Sequence, residues 1–212
     1  WNTLEQDKLI LDEFGWVKQL PAQNDPNVGY RRVSVLIPNG VNQGMPAGKY
    51  IITYEGEGTI EYGLGGTKNV AESKPGRDVV DAPNTNDRHE LLITIAKTNP
   101  ANYIRNIKVF QPGGFCNSSA TKTVLKAADC TDGSYIPFEQ YNASTSPFNP
   151  AFVDKLKGLR VLRFMDLGKT NDNTVSQWTE RDKVKDAFWT SPVGIPYRAM
   201  VQLAKETNSD PW

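Results

Sequence analysis

The chain has 212 residues, with 24 Lys+Arg against 24 Asp+Glu, so no net charge draws it toward nucleic acid or an anionic membrane. No apolar run approaches the roughly 20 residues that cross a bilayer, so neither nucleic acid nor membrane is an expected partner. Hydrophobic residues make up 38% of the chain, and 17 Gly with 14 Pro suit a β-rich, turn-rich fold with polar outer faces.

The sequence opens at Trp1 without Met or a signal-like segment and closes at Trp212. Large aromatics at both ends predict a piece of a longer protein. Residues 1–111 read as short strands separated by turns. Tyr30 to Ile37 is one strand, stopped by Pro38-Asn39-Gly40. Tyr50, Ile52 and Tyr54 then alternate with Ile51, Thr53 and Glu55; Gly56 and Gly58 interrupt the run, and Ile60 and Tyr62 resume it. Period-two alternation of β-branched and aromatic residues predicts half-buried strands, here joined by a tight turn. Glu55, Glu57 and Glu61 would crowd that hairpin as a solvated face. The glycines at 56, 58, 63, 65 and 66 fit neither GxGxxG nor the P-loop spacing, so they are turn residues and not a phosphate cradle. His89 is the sole histidine and opens a strand; with no GxSxG elbow it reads as solvent-facing and not as a catalytic base. Leu91 to Ile95 and Tyr103 to Phe110 flank the turn-like Thr98 to Asn102. Six or so short strands at this spacing predict an antiparallel β-sandwich.

Residues 112–147 read as a disulfide loop and linker, rich in Ser, Thr, Asn and Pro. Cys116 and Cys130 are the only cysteines and cannot supply four zinc ligands, so no metal site is expected. The two readings are a disulfide closing this loop, which is favoured, and a pair of unpaired thiols. A bridge would contribute about 3 kcal/mol and would point to an oxidising compartment, secreted or cell-surface. The sequons at Asn117 and Asn142 suit surface loops.

At 148–212 the pattern changes. Asn149-Pro150 supplies an N-cap and first-turn proline; Phe152, Val153 and Leu156 form an apolar face, and Gly158 ends the helix. Leu159 to Asp166 reads as a strand. A second helix begins near Pro196, with Met200, Leu203 and Ala204 at helical spacing and Asn208 near its end. Strand then helix is the unit of a parallel α/β fold, although a closed barrel needs eight units and commonly about 250 residues. Asp166 ends the strand where a parallel barrel presents its active-site loops, and reads equally as a cleft carboxylate or a turn former. Trp178 and Trp189 are flat rings able to stack on sugar faces, against the commoner fate of buried packing.

The stretches LRVLRFMDLGKTNDNTVSQWTERD and GIPYRAMVQLAKETNSDPW resemble a group of large secreted bacterial proteins similar to clan-A glycoside hydrolases. Leu162 to Asp166, Thr170-Asn171, Trp178 with Arg181, and Asp210-Pro211-Trp212 carry the likeness. Leu167 stands where that pattern has Trp. Upstream, Asp12 to Val17 and the GKYIITYEGEG strand resemble that group's N-terminal sandwich. The resemblance implies a mostly β chain: a jelly-roll-like sandwich similar to carbohydrate-binding modules, then a partial α/β segment resembling the start of a TIM barrel. It implies a polysaccharide or oligosaccharide partner and no cofactor. It makes Arg163, Asp166 and Asn171 edge-of-cleft residues that orient sugar hydroxyls, with Trp178 as a stacking ring. The two catalytic carboxylates of such hydrolases stand at the ends of later barrel strands, so no catalytic residue is expected here. An incomplete barrel segment also predicts self-association through its exposed strand edge. The alternative is a non-catalytic carbohydrate-binding or cell-surface adhesion module, in which the barrel-like motif serves packing.

Overall fold

The computed structural model describes residues 1, 5–22, 24–37, 46–82, 90–116, 119–141, 146–189 and 192–212. His89, the turn at 38–40 and the sequon asparagines 117 and 142 lie outside them. Strand outweighs helix in the described residues, and the chain forms two compact units, Trp1–Pro112 and Gly113–Trp212.

The first unit contains β1 (Ile10–Leu11), β2 (Val17–Gln19), β3 (Val33–Ile37), β4 (Gly48–Glu55), β5 (Gly58–Gly63), β6 (Thr67–Lys68), β7 (Arg77–Ala82), β8 (Leu91–Thr98) and β9 (Arg105–Phe110). β1 and β2 form a small antiparallel pair. The others build two antiparallel sheets, ordered β3-β8-β5 and β6-β7-β4-β9. Alternation along β4 sends Tyr50 and Ile52 inward, where they meet Val33, Ile60, Val80, Ile93 and Ile95 from both sheets in one core. Each such aliphatic side chain, fully buried, contributes about 1.5–3 kcal/mol.

The hairpin expected over 48–63 is not formed. β4 pairs with β7 and β9, whereas β5 pairs with β8, so the chain leaves one sheet for the other at Gly56-Glu57. β8 and β9 part in the same way. The reason is local. Gly56 has φ +91°, and a Cβ there would stand 2.0 Å from the Tyr103 carbonyl oxygen. Glu57 N–H donates to Asn102 O at 2.7 Å, and Asn99 N–H donates to Glu57 O at 2.8 Å. The two crossings thus bond to each other. The three glutamates consequently separate: Glu55 pairs with Arg105 at 3.3 Å, Glu61 with Arg32 at 2.8 Å, and Glu57 takes the side-chain amides of Asn99 and Asn102.

Among the described residues of this unit, one carboxyl group is fully buried. Asp78 is 0% exposed; its Oδ2 accepts from Tyr62 Oη at 2.8 Å, and Lys68 Nζ lies 2.6 Å from its Oδ1. A buried carboxylate without such partners would be strongly destabilising. Burial and the neighbouring Asp78 push the Tyr62 phenol well above its ordinary value, and burial pushes Tyr50 up to about 12.

The second unit opens with β10 (Gly114–Cys116), β11 (Ser119–Val124) and β12 (Tyr135–Pro137), an antiparallel sheet with β10 in the middle. The stretch expected to be only a disulfide loop and linker therefore carries a sheet. Gly114 lets its strands close, because a Cβ there would stand 2.1 Å from Ile136 O. Cys116 and Cys130 form a disulfide, buried with Val124 beside Tyr135. Helix α1 (Phe138–Tyr141) follows, and the Phe138 ring meets Phe115 edge-on at 4.8 Å.

Helix α2 (Pro150–Leu156) starts as its sequence dictates: Asn149 Oδ1 accepts from Ala151 N–H at 2.8 Å, and Pro150 occupies the first turn. Gly158 follows it at φ +92°. Of the expected apolar face, Val153 is buried and Leu156 packs beside it, while Phe152 stays exposed. The strand expected from Leu159 to Asp166 contracts to β13 (Val161–Leu162). Helix α3 (Tyr197–Thr207) ends at Asn208 in the left-handed conformation, and β14 (Asp210–Pro211) returns parallel to β13. Val153, Leu162, Phe164, Met200, Leu203 and Ala204 form the core beneath this strand-helix-strand arrangement.

Candidate functional site

The parallel pairing continues past β13 as main-chain bonds. Trp212 N–H donates to Leu162 O at 2.9 Å, and Phe164 N–H donates to Trp212 O at 2.6 Å. Arg163 and Trp212 therefore emerge side by side at the carboxyl ends of the two strands, the end at which parallel α/β arrangements offer their ligand crevices. A cleft of about 580 Å³ opens there.

Its floor is apolar, from Phe164, Met165, Met200 and Val175, which fits the buried core below. Its rim is polar and aromatic: Thr170, Asn171, Asn173, Tyr197, Arg163 and Trp212. Of the eleven lining residues only Arg163 has a charged side chain. Trp212 is 74% exposed, and the Arg163 guanidinium carbon lies 5.0 Å from its ring centroid.

Two glycines and an asparagine shape the walls. Gly194, at φ +91°, approaches Gly168 so closely that a Cβ would stand 2.7 Å from the Gly168 carbonyl carbon. Ile195 N–H then reaches Leu167 O at 2.8 Å. The Asn173 side-chain amide donates to Gly168 O at 3.1 Å and to Val193 O at 3.0 Å, pinning both segments together.

The expected site residues divide. Arg163 and Asn171 line the cleft. Asp166 lies outside the lining set; it is exposed, and its carbonyl accepts from Lys169 N–H at 3.2 Å, as a turn former's would. Trp178 is also outside, 80% exposed on the short 3-10 turn Trp178–Glu180. The Arg181 guanidinium covers the Trp178 ring and lies 5.0 Å from the Tyr197 centroid. Tyr197 lines the cleft, so this run of stacked groups leads from the rim to Trp178. Glu180 fixes the turn by accepting from Ser176 N–H at 2.8 Å and Gln177 N–H at 2.9 Å, bonds that hold its carboxyl below its ordinary value of 4.5. Trp189 donates its indole N–H to Val184 O at 3.3 Å.

Sequence reasoning did not single out Tyr197 or Asn173 as site residues. Tyr197 opens a helix, where an aromatic gives no distinct signal, and Asn173 sits in a turn-rich tract. Trp212 was visible within Asp210-Pro211-Trp212, but its place beside Arg163 depends on pairing across fifty residues. Among the described residues, no group of three or more His, Cys, Asp and Glu side chains is placed to hold a metal ion, and no helix is long and apolar enough to cross a membrane.

No protein-family model, curated protein or solved structure matches the chain.

Proposed function

We propose that the cleft of the second unit binds a polysaccharide or oligosaccharide and, on its own, does not cleave it. The carrying observation is its make-up: the exposed aromatic residues Trp212 and Tyr197, amide and hydroxyl groups at Asn171, Asn173 and Thr170, and one guanidinium, around an apolar floor. Flat rings stack on the C–H faces of sugars while amides and guanidinium groups bond their hydroxyls. Cleavage of a glycosidic bond ordinarily uses two carboxyl groups flanking it, one protonating the leaving oxygen and one on the opposite side toward the anomeric carbon, and the lining side chains supply neither.

On this reading the first unit is a jelly-roll-like sandwich of the carbohydrate-binding-module kind. The β13–α3–β14 arrangement corresponds to the opening of a TIM barrel in a glycoside hydrolase. The parallel strand pair supports that reading, since a barrel begins with such a crossover. The buried disulfide supports a secreted or cell-surface setting. The second reading, a non-catalytic adhesion module, needs the same cleft and is favoured by its lack of carboxylates.

Affinity electrophoresis of the purified chain through gels carrying plant, algal and bacterial polysaccharides tests the proposal. Retardation by at least one polymer is expected, lost in the Tyr197→Ala/Trp212→Ala double variant, with no release of reducing sugar. Absence of retardation in every gel, or retardation indifferent to that variant, would overturn it. Sugar release abolished by Asp166→Asn would also overturn it, by giving this region a catalytic role.

A further inference from the structure

We infer that the cleft is built for an acidic glycan, and that Arg163 receives the carboxylate of a hexuronate unit. The inference rests on the glycan-binding reading above and narrows its ligand class.

The argument starts from charge. Arg163 is the single charged side chain among the cleft-lining residues. It is exposed, and among the described residues it has no ion-pair partner. One of its Nη groups donates to the thioether of Met165, a weak acceptor, and the guanidinium lies against the Trp212 ring. A guanidinium carries five N–H donors, so most of its capacity stays available. The Trp212 contact also limits the orientations it samples, which lowers the entropy lost when the donors engage a ligand.

A neutral sugar would use these donors only for hydroxyl bonds, for which an amide would serve as well. A carboxylate accepts two parallel N–H bonds from one guanidinium, and charge-assisted bonds are roughly twice as strong as neutral ones. No lining side chain carries a carboxylate, so no side chain of the cleft repels an anionic ligand. The ring of a hexuronate still presents C–H groups to Trp212 and Tyr197, while Asn171 and Thr170 reach hydroxyls. The cleft matches a sugar with one apolar face and one acidic edge.

Calorimetric titration of the full chain with oligogalacturonate and with the same oligosaccharide fully methyl-esterified isolates the charge, because esterification removes the carboxylate and keeps the ring. Oligoguluronate, oligomannuronate and a sulfated galactan oligosaccharide complete the panel, beside neutral cello- and xylo-oligosaccharides. At least one hexuronate should bind about tenfold more tightly than every neutral sugar and, for oligogalacturonate, than its ester. Arg163→Gln should remove that preference without changing the thermal unfolding midpoint, and Arg163→Lys should restore it in part. Neutral sugars binding as tightly as the hexuronates would overturn the inference and leave the glycan-binding reading standing. Binding of the sulfated oligosaccharide alone would also overturn the carboxylate assignment. Failure of every sugar to bind would remove the underlying reading itself.

Discussion

Asn99 holds Glu57 twice, its side-chain amide donating to the carboxylate at 2.8 Å and its main-chain N–H to the carbonyl at 2.8 Å. Asn102 adds a second side-chain amide at 3.3 Å. These bonds tie the β4–β5 crossing to the β8–β9 turn, the two points at which the chain changes sheets.

The amides of Asn99 and Asn102 keep the Glu57 carboxyl below its ordinary value of 4.5. A depressed folded-state pKa contributes stability that is present above the unfolded value and lost as pH falls through the folded one. The parent should therefore unfold at a higher temperature than Glu57→Ala at neutral pH, and the gap should shrink below the ordinary carboxylate range. A gap that widens on acidification would contradict the clasp. The effect is expected to be small, because the carboxylate is exposed.

Gly56→Ala should lower stability more than Gly133→Ala. Both glycines have positive φ, +91° and +70°, so both substitutions carry the left-handed cost of roughly 1–2 kcal/mol. Only Gly56 adds a collision, with Tyr103 O at 2.0 Å, whereas nothing lies within 4 Å of a Cβ at Gly133. Denaturant titration of the two variants makes the comparison, and equal losses would mean that the crossing yields readily.

In the second unit, Asn149→Ala should cost about 1 kcal/mol by removing the α2 cap. Leu203→Ala should cost about 2–5 kcal/mol, because Leu203 is buried among Val153, Leu162, Phe164 and Met200. Chemical denaturation monitored on this unit should reproduce that order.

Replacing Cys116 and Cys130 together by Ser should cost about 3 kcal/mol, the entropy expected for a loop of this length. Thermal unfolding with and without reductant should give matching losses in the parent and none in the variant.

Local chemistry made the elements of this chain legible, and distant pairing hid their partners. The Asn149-Pro150 start and the Gly158 stop of α2, and the Asn208 end of α3, are written in residues that act within a turn or two. The alternation of Tyr50 and Ile52 with Ile51 and Thr53 likewise marks β4. The partner of β4 is another matter. Gly56 and Gly58 look the same in a hairpin as in a passage between sheets, and the difference lies in Tyr103, over forty residues away in the chain. The same limit applied at the cleft. Arg163 and Asn171 were singled out only through the resemblance carried by their stretch of sequence, whereas Tyr197 and Trp212 join them only through the return of α3 and β14.

The β13–β14 pairing also has a kinetic side. Ser209 Oγ bonds to Leu159 O across fifty residues, and each strand is only two residues long. Closing a loop of that size costs about 2 kcal/mol more entropy than closing a four-residue turn, and two rungs of ladder return little of it until α3 is docked. Such sequence-distant contacts slow folding and fall late in it. The cleft should be the last part of its unit to mature, so refolding monitored by Trp212 fluorescence should lag behind refolding monitored by helix content.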